Sequence, residues 1–372
     1  METLTRRELM CQLAGCASVA ALAGCRTGKV EEEPAVRTPI WGNPRVRGPF
    51  PILSTPFLES GEVDFDTLAS EARFVDFCEC SGMVWPQSND SCEFLTKEEK
   101  KQGMRILAET LKGRATALCL GVQGRDTKEM LEFAELAETL RPTCIISRPP
   151  DNGRTEEDLR AYYHALTSVF SRPVIIQTSG GSAYKGVAPS VNLLAELATE
   201  YPKIFGYVQE ESVTRKNGKV TETVDQRISL EVAKKPTIKR VFSAQDGCSW
   251  LYQARQLGTE GLIVERCAYA DLLARIWQLL ESHDSTGSVD AAFAGFLLMQ
   301  NLENDLPGGA TGQRGSHLYV LQLRGVFRNL LRRKALPTGK PDASILTDVS
   351  LTEEQKTEII RRFRTLQPFL KI

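Results

Sequence analysis

Eight short apolar runs recur along the chain at intervals of roughly 30 residues, which is the length of one strand-plus-helix unit. The runs occupy residues 51–55, 82–86, 115–121, 143–147, 173–177, 204–208, 238–243 and 261–265. Amphipathic stretches such as residues 128–140 and 190–199 separate them. Strands that alternate with helices form a parallel sheet, and eight such units predict an α/β fold, a closed (β/α)8 TIM barrel. A doubly wound open sheet is the alternative, but no Gly-x-Gly-x-x-Gly follows the first run.

Beyond the eighth run the pattern becomes purely helical. Three helical patterns lie at about 289–305, 316–334 and 352–366. We therefore predict a barrel over residues 48–285 and a C-terminal helical extension over residues 286–372, packed on the barrel.

The first 25 residues have the features of an export signal. Arg6 and Arg7 precede a short apolar stretch, as in twin-arginine signals, and the stretch is too short for a membrane span. It ends in Leu-Ala-Gly-Cys, a lipobox that would make Cys25 the acylated first residue of a lipoprotein. Cys16 closes a similar string but leaves too short an apolar stretch. Residues 26–47 are polar and proline-containing, and they predict a flexible tether.

These features predict an exported protein of the periplasm or cell surface that contacts the membrane only through its lipid anchor. The alternative is a frayed, slightly apolar terminus. Seven of the ten cysteines lie outside the signal, and their spacing shows no disulfide framework. Cys119, Cys144 and Cys267 lie in or beside apolar runs, which predicts buried thiols. Twin-arginine export of an already folded protein reconciles such cysteines with export.

The charge balance narrows the classes of partner. The chain has 46 Lys and Arg against 47 Asp and Glu, a formal net charge of -1, so no basic excess is present to bind nucleic acid. Only three histidines occur, and none are spaced as a local metal motif. We predict no metal, no cofactor and a small-molecule ligand.

Several strings, in order and at matching intervals, give the chain a family resemblance. They are Ser-Thr-Pro-Phe at 54–57, Leu-Thr-Lys-Glu-Glu-Lys at 95–100, Gly-Val-Gln at 121–123, Arg-Pro-Pro at 148–150 and Gly-Tyr-Val-Gln-Glu-Glu-Ser at 206–212. Over residues 48–336 the chain resembles the dihydrodipicolinate synthase / N-acetylneuraminate lyase family. The resemblance implies a barrel aldolase, a carbon–carbon lyase that forms a Schiff base between a lysine and a 2-oxo acid, and association into homotetramers or dimers.

The family's catalytic positions carry other residues here. Gln209 stands where the resemblance places the Schiff-base lysine, and Gln177 stands where it places the proton-relaying tyrosine. An amide is neither a nucleophile nor a general acid or base near neutral pH. The threonine pair that would hold the substrate carboxylate is replaced within residues 87–91. We therefore predict that Schiff-base chemistry at the usual site is lost. Lys185 and Lys239 are the nearest alternatives in sequence, and Lys239 lies at the start of its strand, away from the catalytic end.

Polar residues collect at the carboxyl ends of the strands, where barrels build their sites. We predict that a hydroxylated or sugar-like ligand is bound there by Ser88, Asn89, Arg148, Thr178, Gln209 and Arg266. Glu211, Asp246 and Glu265 are candidate acids and bases. Pairs of these carboxylates could instead hold a hard cation, or pair with arginines around the rim.

Two functions follow from these observations. The first is a lyase of changed mechanism that acts on 2-oxo acids or sugar acids. The second is a pseudoenzyme, a barrel that binds a sugar-like ligand without turnover. The acid–base hypothesis requires a carboxyl group of strongly shifted pKa in the barrel mouth, whereas the binding hypothesis requires only hydrogen-bonding groups there.

Overall fold

The computed structural model describes residues 43, 45–87, 92–179, 186–216, 219–302, 310–339 and 341–371. Its strands, in chain order, are β1 (Gly48–Pro51), β2 (Gly82–Trp85), β3 (Ala117–Gly121), β4 (Cys144–Ser147), β5 (Val174–Gln177), β6 (Tyr207–Gln209), β7 (Thr214–Lys216), β8 (Lys219–Glu222), β9 (Arg240–Phe242), β10 (Gly261–Val264), β11 (Leu331–Arg333) and β12 (Leu346–Asp348). Eight of these strands, all except β7, β8, β11 and β12, overlap the eight apolar runs of the sequence. Strand β1 shares only Pro51 with the first run.

The eight strands close into a parallel barrel. Strands β2 to β6 and β9 form one parallel sheet in that order, and β1 pairs with β10 in parallel. Single parallel bridges, Ile52 to Val84 and Ser243 to Leu262, join the two sheets at both seams. The predicted TIM barrel is therefore confirmed.

Helices cover the outside of the barrel. They are α1 (Phe65–Phe77), α2 (Lys97–Thr110), α3 (Thr127–Leu140), α4 (Glu156–Thr167), α5 (Val191–Glu200), α6 (Val224–Val232), α7 (Trp250–Tyr252), α8 (Ala270–Glu281), α9 (Ser288–Gln300), α10 (Ala310–Leu323) and α11 (Glu353–Arg364). Local sequence fixes several of their starts. In α2, Thr96 caps the backbone of Glu99 while Glu99 bonds back to Thr96, which satisfies two N–H groups that a helix start leaves open. None of the helices among the described residues is long and apolar enough to cross a membrane.

The buried apolar residues form two separate groups. One consists of strand residues and Val46, and it includes Ile175 and Tyr207. The other combines strand and helix residues and lies between the barrel wall and its helices. Because side chains alternate along a strand, the first group fills the barrel interior and the second packs outside it.

The folded body begins earlier than the sequence predicts. Val46 is fully buried in the barrel interior, and the backbone N–H of Asn43 donates to the hydroxyl of Tyr207 at 2.8 Å. Arg45 also donates to the carbonyl of Ala115 at 3.0 Å. Residues 43 and 45–47, which the tether prediction includes, therefore contact the barrel. The predicted export signal, with Cys16 and Cys25, lies outside the described residues.

In the C-terminal part, helices α9, α10 and α11 overlap the three predicted helical patterns, but α10 ends at Leu323. Residues 331–333 were expected to end a helix over 316–334, but they form β11, which pairs antiparallel with β12. Arg333 explains the difference: its buried guanidinium donates to both carboxylate oxygens of Glu99 at 2.9 Å each and to the carbonyl of Phe94 at 2.9 Å. This tie to α2 holds the segment against the barrel, and a helical period does not reveal it.

Candidate functional site

Two glutamines lie side by side at the carboxyl ends of neighbouring strands. Gln177 ends β5 and Gln209 ends β6, and the two are in register. Both follow an interior residue by two positions, Ile175 and Tyr207 respectively, so the alternation of the strands points them into the mouth of the barrel. Both side chains are almost fully buried, at 1% and 3% exposure. Their amides therefore form part of the floor of the mouth.

Glu211 is the ionisable group at this floor. The Nε2 of Gln177 donates to its carboxylate at 2.7 Å, and Glu211 is only partly exposed. Burial, together with the charge of the neighbouring Glu210, raises the pKa of Glu211 to about 7. The hydrogen bond from Gln177 and the charge of Arg148 act in the opposite direction. A carboxyl with this pKa is present in both protonation states near neutral pH, as an acid–base catalyst requires.

Glu210, the next residue back, points away from the mouth into the barrel wall. It is fully buried, and it accepts a hydrogen bond from the hydroxyl of Thr178 at 2.7 Å and another from Nε of Arg227 at 3.0 Å. Thr178 was predicted to bind the ligand, but its hydroxyl is committed to Glu210 because it follows the inward Gln177 by one residue and so faces outward. Thr178 belongs to the support of the site.

Arg148 supplies a cation beside the floor. It follows β4, is partly buried, and donates from Nη1 to Asp151 at 2.5 Å. Its charge reaches Glu211, where it opposes the rise in pKa. Arg148 is therefore placed to attract an anionic group of a ligand near Glu211.

The amino-acid sequence is similar to those of known proteins over most of the barrel. The model of the Dihydrodipicolinate synthetase family matches residues 45–232, more than half of the chain. The chain belongs to this family. A 4-hydroxy-tetrahydrodipicolinate synthase of Parabacteroides distasonis is 25% identical over 293 residues, which are 77% of this chain and 90% of that protein. An L-2-keto-3-deoxyarabonate dehydratase of Azospirillum brasilense is 28% identical over 168 residues, 43% of this chain and 52% of that protein.

The solved structures agree on the fold. The sialic acid aldolase of Ruminococcus gnavus superposes with a TM-score of 0.70 at 16% identity, over 88% of this chain and 100% of that chain. The chain is thus a member of a family of aldolases and lyases and has the barrel of that family. Association into dimers or tetramers stays a prediction.

Two other candidate acids and bases follow strands β9 and β10. Asp246 is exposed and accepts a hydrogen bond within its own loop, from the backbone N–H of Cys248 at 2.9 Å. Glu265 follows β10 and is partly buried. The carboxyl group that raises the pKa of Glu211 is that of Glu210, and the pairing of Glu211 with Asp246 or Glu265 stays a prediction.

Arg266, which was predicted to bind the ligand, makes hydrogen bonds within the chain. Its Nε donates to Oε1 of Gln300 at 2.6 Å, and its Nη1 donates to the carbonyl of Glu265 at 2.5 Å. The side chain is buried and ties the end of β10 to α9. Ser88 and Asn89, the remaining predicted ligand-binding residues, lie outside the described residues.

Lys239, considered above as an alternative nucleophile, is at the opposite end of the barrel from Gln209. It immediately precedes β9, and its Nζ donates to the carbonyl of Phe205 at 2.6 Å and to that of Pro202. Burial lowers the pKa of Lys239 to about 8. A depressed pKa makes an amine more nucleophilic, but this one faces the amino ends of the strands. Lys185 lies outside the described residues.

A second buried polar cluster was not predicted. The thiol of Cys267 contacts the carboxylate of Glu71 at 2.7 Å and Nε2 of His317 at 3.2 Å. Burial raises the pKa of Cys267 and lowers that of His317 well below the usual range. Its members are brought together from the turn after β10, from α1 and from α10, and no local motif could have revealed them.

Cys119 and Cys144 are buried free thiols, as predicted. The described part of the chain contains no group of three or more His, Cys, Asp and Glu suited to a metal ion.

Proposed function

We propose that this chain is a lyase of changed mechanism that transfers protons through Glu211, without a Schiff base, on a small 2-oxo acid or sugar acid. The observation that carries the proposal is the Gln177–Glu211 pair, a carboxyl with a pKa of about 7 held at 2.7 Å from a buried amide at the barrel mouth. A matched pKa and a fixed position are what general acid–base catalysis needs.

The absence of a nucleophile at position 209 favours the changed mechanism. In the family resemblance a lysine at this position forms the imine that accepts electrons from the substrate. The amide of Gln209 has no such reactivity, because its nitrogen lone pair is delocalised into the carbonyl. Lys239 cannot take over from the other end of the barrel. In the absence of an imine, the electrons of a broken C–H bond must be accepted by the substrate's own carbonyl oxygen.

Glu211 and Arg148 have the properties that such a step requires. The Glu211 carboxylate removes a proton from the carbon next to the substrate carbonyl, and the C–H electrons form an enolate. The Arg148 guanidinium stabilises the developing negative charge. The enolate electrons then form a carbon–carbon double bond and restore the carbonyl group as the C–O bond to a hydroxyl on the next carbon breaks. Protonated Glu211 gives its proton to the departing oxygen, so water is released. A dehydratase among the relatives is consistent with this reaction class.

Exchange of substrate protons with solvent tests this proposal. The full chain is incubated in D2O with pyruvate and a panel of 2-oxo and sugar acids, and deuterium incorporation is followed by NMR and mass spectrometry. We expect incorporation beside the carbonyl group, which Glu211→Gln lowers by about 100-fold or more. Glu157→Gln is the matched control, because the Glu157 side chain is 84% exposed on an outer helix. Equal exchange by the Glu211→Gln variant contradicts the proposal.

A non-catalytic binding function is the second candidate. The Oε1 atoms of Gln177 and Gln209 are buried without a hydrogen-bond partner among the described residues, so they are acceptors for hydroxyl groups of a ligand. In this case a sugar-like ligand raises the melting temperature of the protein, but no exchange occurs. Gln177→Leu together with Gln209→Leu then removes the stabilisation. Exchange that depends on Glu211 excludes this alternative.

We also propose that the chain is exported through its twin-arginine signal and anchored by acylated Cys25. The sequence order of paired arginines, apolar stretch and lipobox supports this. Labelling of cells with a radioactive fatty acid should mark the wild-type chain and the Cys16→Ala variant, but not Cys25→Ala. Replacement of Arg6 and Arg7 by lysine should leave the chain inside the cell. Label on Cys25→Ala contradicts the assignment.

A further inference from the structure

Directly behind Glu211 lies a buried network of charged residues that the reaction itself does not use. Glu210, Arg227 and Glu231 are all nearly or fully buried, with exposures of 0%, 3% and 0%. Burying three ionisable groups is unfavourable unless each is compensated. We infer that Thr178, Glu210 and Arg227 are positioning residues that hold Glu211 at the floor of the mouth. This inference rests on the proposed function of Glu211 and names the residues that hold Glu211 in place.

The hydroxyl of Thr178 connects the network to Glu211. It accepts a hydrogen bond from the backbone N–H of Glu211 at 3.1 Å and donates one to Oε1 of Glu210 at 2.7 Å. The same oxygen of Glu210 accepts from the backbone N–H of Ser212 at 2.6 Å. The backbone N–H groups of Glu211 and Ser212 are therefore held by Thr178 and Glu210 at the end of β5. This arrangement keeps the Glu211 side chain next to Gln177.

Arg227 fixes Glu210 in turn. It lies in α6 and donates from Nε to Glu210 at 3.0 Å and from Nη2 to the carbonyl of Pro189 at 2.8 Å. Glu222, at the end of β8, approaches its Nη1 at 3.8 Å. After β6 the chain makes the β7–β8 hairpin and returns in α6, whose first turn carries Arg227. The Arg227 guanidinium therefore joins the start of α6 to Glu210, the residue that follows β6.

Glu231 is the third buried group of the network. It lies one helical turn after Arg227, and both burial and the proximity of Glu210 raise its pKa well above the ordinary value, while Arg227 opposes the rise. The cluster therefore contains one buried cation, Arg227, paired with Glu210 at 3.0 Å. The groups that act on Glu211 are Glu210 beside it, Gln177 from β5 and Arg148 from the end of β4.

The titration of Glu211 itself tests the inference without any substrate. The full chain is labelled with [δ-13C]glutamate, and the resonance of Glu211 is assigned as the one missing from Glu211→Gln. We expect the pKa of Glu211 to fall by about one pH unit in Glu210→Gln, which removes the adjacent charge. We expect a similar fall in Thr178→Val, because the released backbone lets the carboxyl move into water. Thr178→Ser, which keeps the hydroxyl, should restore the wild-type titration.

Glu231→Gln is the matched control, since Glu231 lies in the same buried network but is not among the groups that act on Glu211, so the Glu211 titration should stay unchanged. Glu210→Gln leaves Arg227 without its partner and can prevent folding, in which case the two Thr178 variants decide. An unchanged Glu211 titration in folded Thr178→Val overturns the inference. A shift in Thr178→Val that Thr178→Ser does not reverse also overturns it. A confirmed shift in a chain without exchange activity would instead contradict only the proposed function.

Discussion

Two polar clusters lie at the carboxyl ends of the strands, and they differ in what surrounds them. At the mouth, Glu211 is partly exposed and has a pKa near 7, so it changes protonation state close to neutral pH. Between β10 and the C-terminal helices, Cys267 and His317 are buried, and burial shifts both pKa values toward the neutral forms. The same strand ends thus carry one group able to exchange protons with a ligand and one set of groups enclosed by packing.

The difference shows that a cysteine, a histidine and a carboxylate in contact are not by themselves a reactive site. A thiol reacts as its thiolate, and burial beside Glu71 disfavours that form. The second cluster instead joins the end of β10, α1 and α10 through hydrogen bonds. We therefore assign it to stability and assign Glu211 to function.

Removal of Glu71 should produce the largest effect on stability. Its carboxylate accepts hydrogen bonds from the backbone N–H of Ser54 at 3.1 Å and from Cys267 at 2.7 Å, and both donors are buried. Glu71→Ala leaves both without a partner and opens a cavity, so we expect a loss of about 3 kcal/mol in the free energy of unfolding, measured in urea. Exchange activity per folded molecule should be unchanged. A loss of activity at full folding would assign catalysis to the second cluster.

The pH dependence of stability should have opposite signs in the two clusters. The folded pKa of Glu211 lies above its unfolded value near 4.5, so its contribution is present at low pH and is lost as the pH rises toward 7. The folded pKa of His317 lies below its unfolded value near 6.5, so its contribution is present above that pH and is lost as the pH falls.

Urea unfolding between pH 5 and 8 separates the two contributions. Glu211→Gln should gain stability relative to the wild type as the pH rises, by about 1–3 kcal/mol in total. The wild type should lose stability as the pH falls below 6.5, and the His317→Gln variant should not show this loss. Parallel curves for wild type and Glu211→Gln contradict the raised pKa of Glu211.

Asp246 should give the smallest effect. Its side chain is exposed, and its hydrogen bond to Cys248 lies within one turn, so Asp246→Asn should change the free energy of unfolding by less than about 0.5 kcal/mol. The pH profile of exchange should also be unchanged. A shifted pH profile of exchange would show that Asp246 takes part in the reaction, as the sequence alone suggests.

The barrel and the positions of Gln177 and Gln209 were predictable because they depend on local patterns. Apolar runs at regular spacing define the strands, and the carboxyl ends of neighbouring parallel strands meet at one edge. The alternation of side chains was the signal that the prediction neglected: Thr178 and Arg266 each follow an inward-facing residue and so face the wall. Period-two counting along β5 and β10 would have removed both from the ligand-binding set.

The supporting contacts were beyond prediction because they join distant parts of the chain. Glu210 and Arg227 are separated by a hairpin, and Cys267 meets Glu71 from 196 residues away. Such pairs depend on how helices pack on the barrel, which a single sequence does not specify. The raised pKa of Glu211 has the same origin, because it results mainly from burial.

The most direct test of the central claim is the intact mass of the full chain after borohydride reduction in the presence of pyruvate. An aldolase of the family serves as positive control, and Gln209→Lys reports whether position 209 reaches the substrate. We predict no adduct on the wild type and a reduced adduct on both the control and Gln209→Lys. A stable adduct on the wild-type chain, mapped to any lysine, would contradict a mechanism that proceeds through Glu211 without a Schiff base.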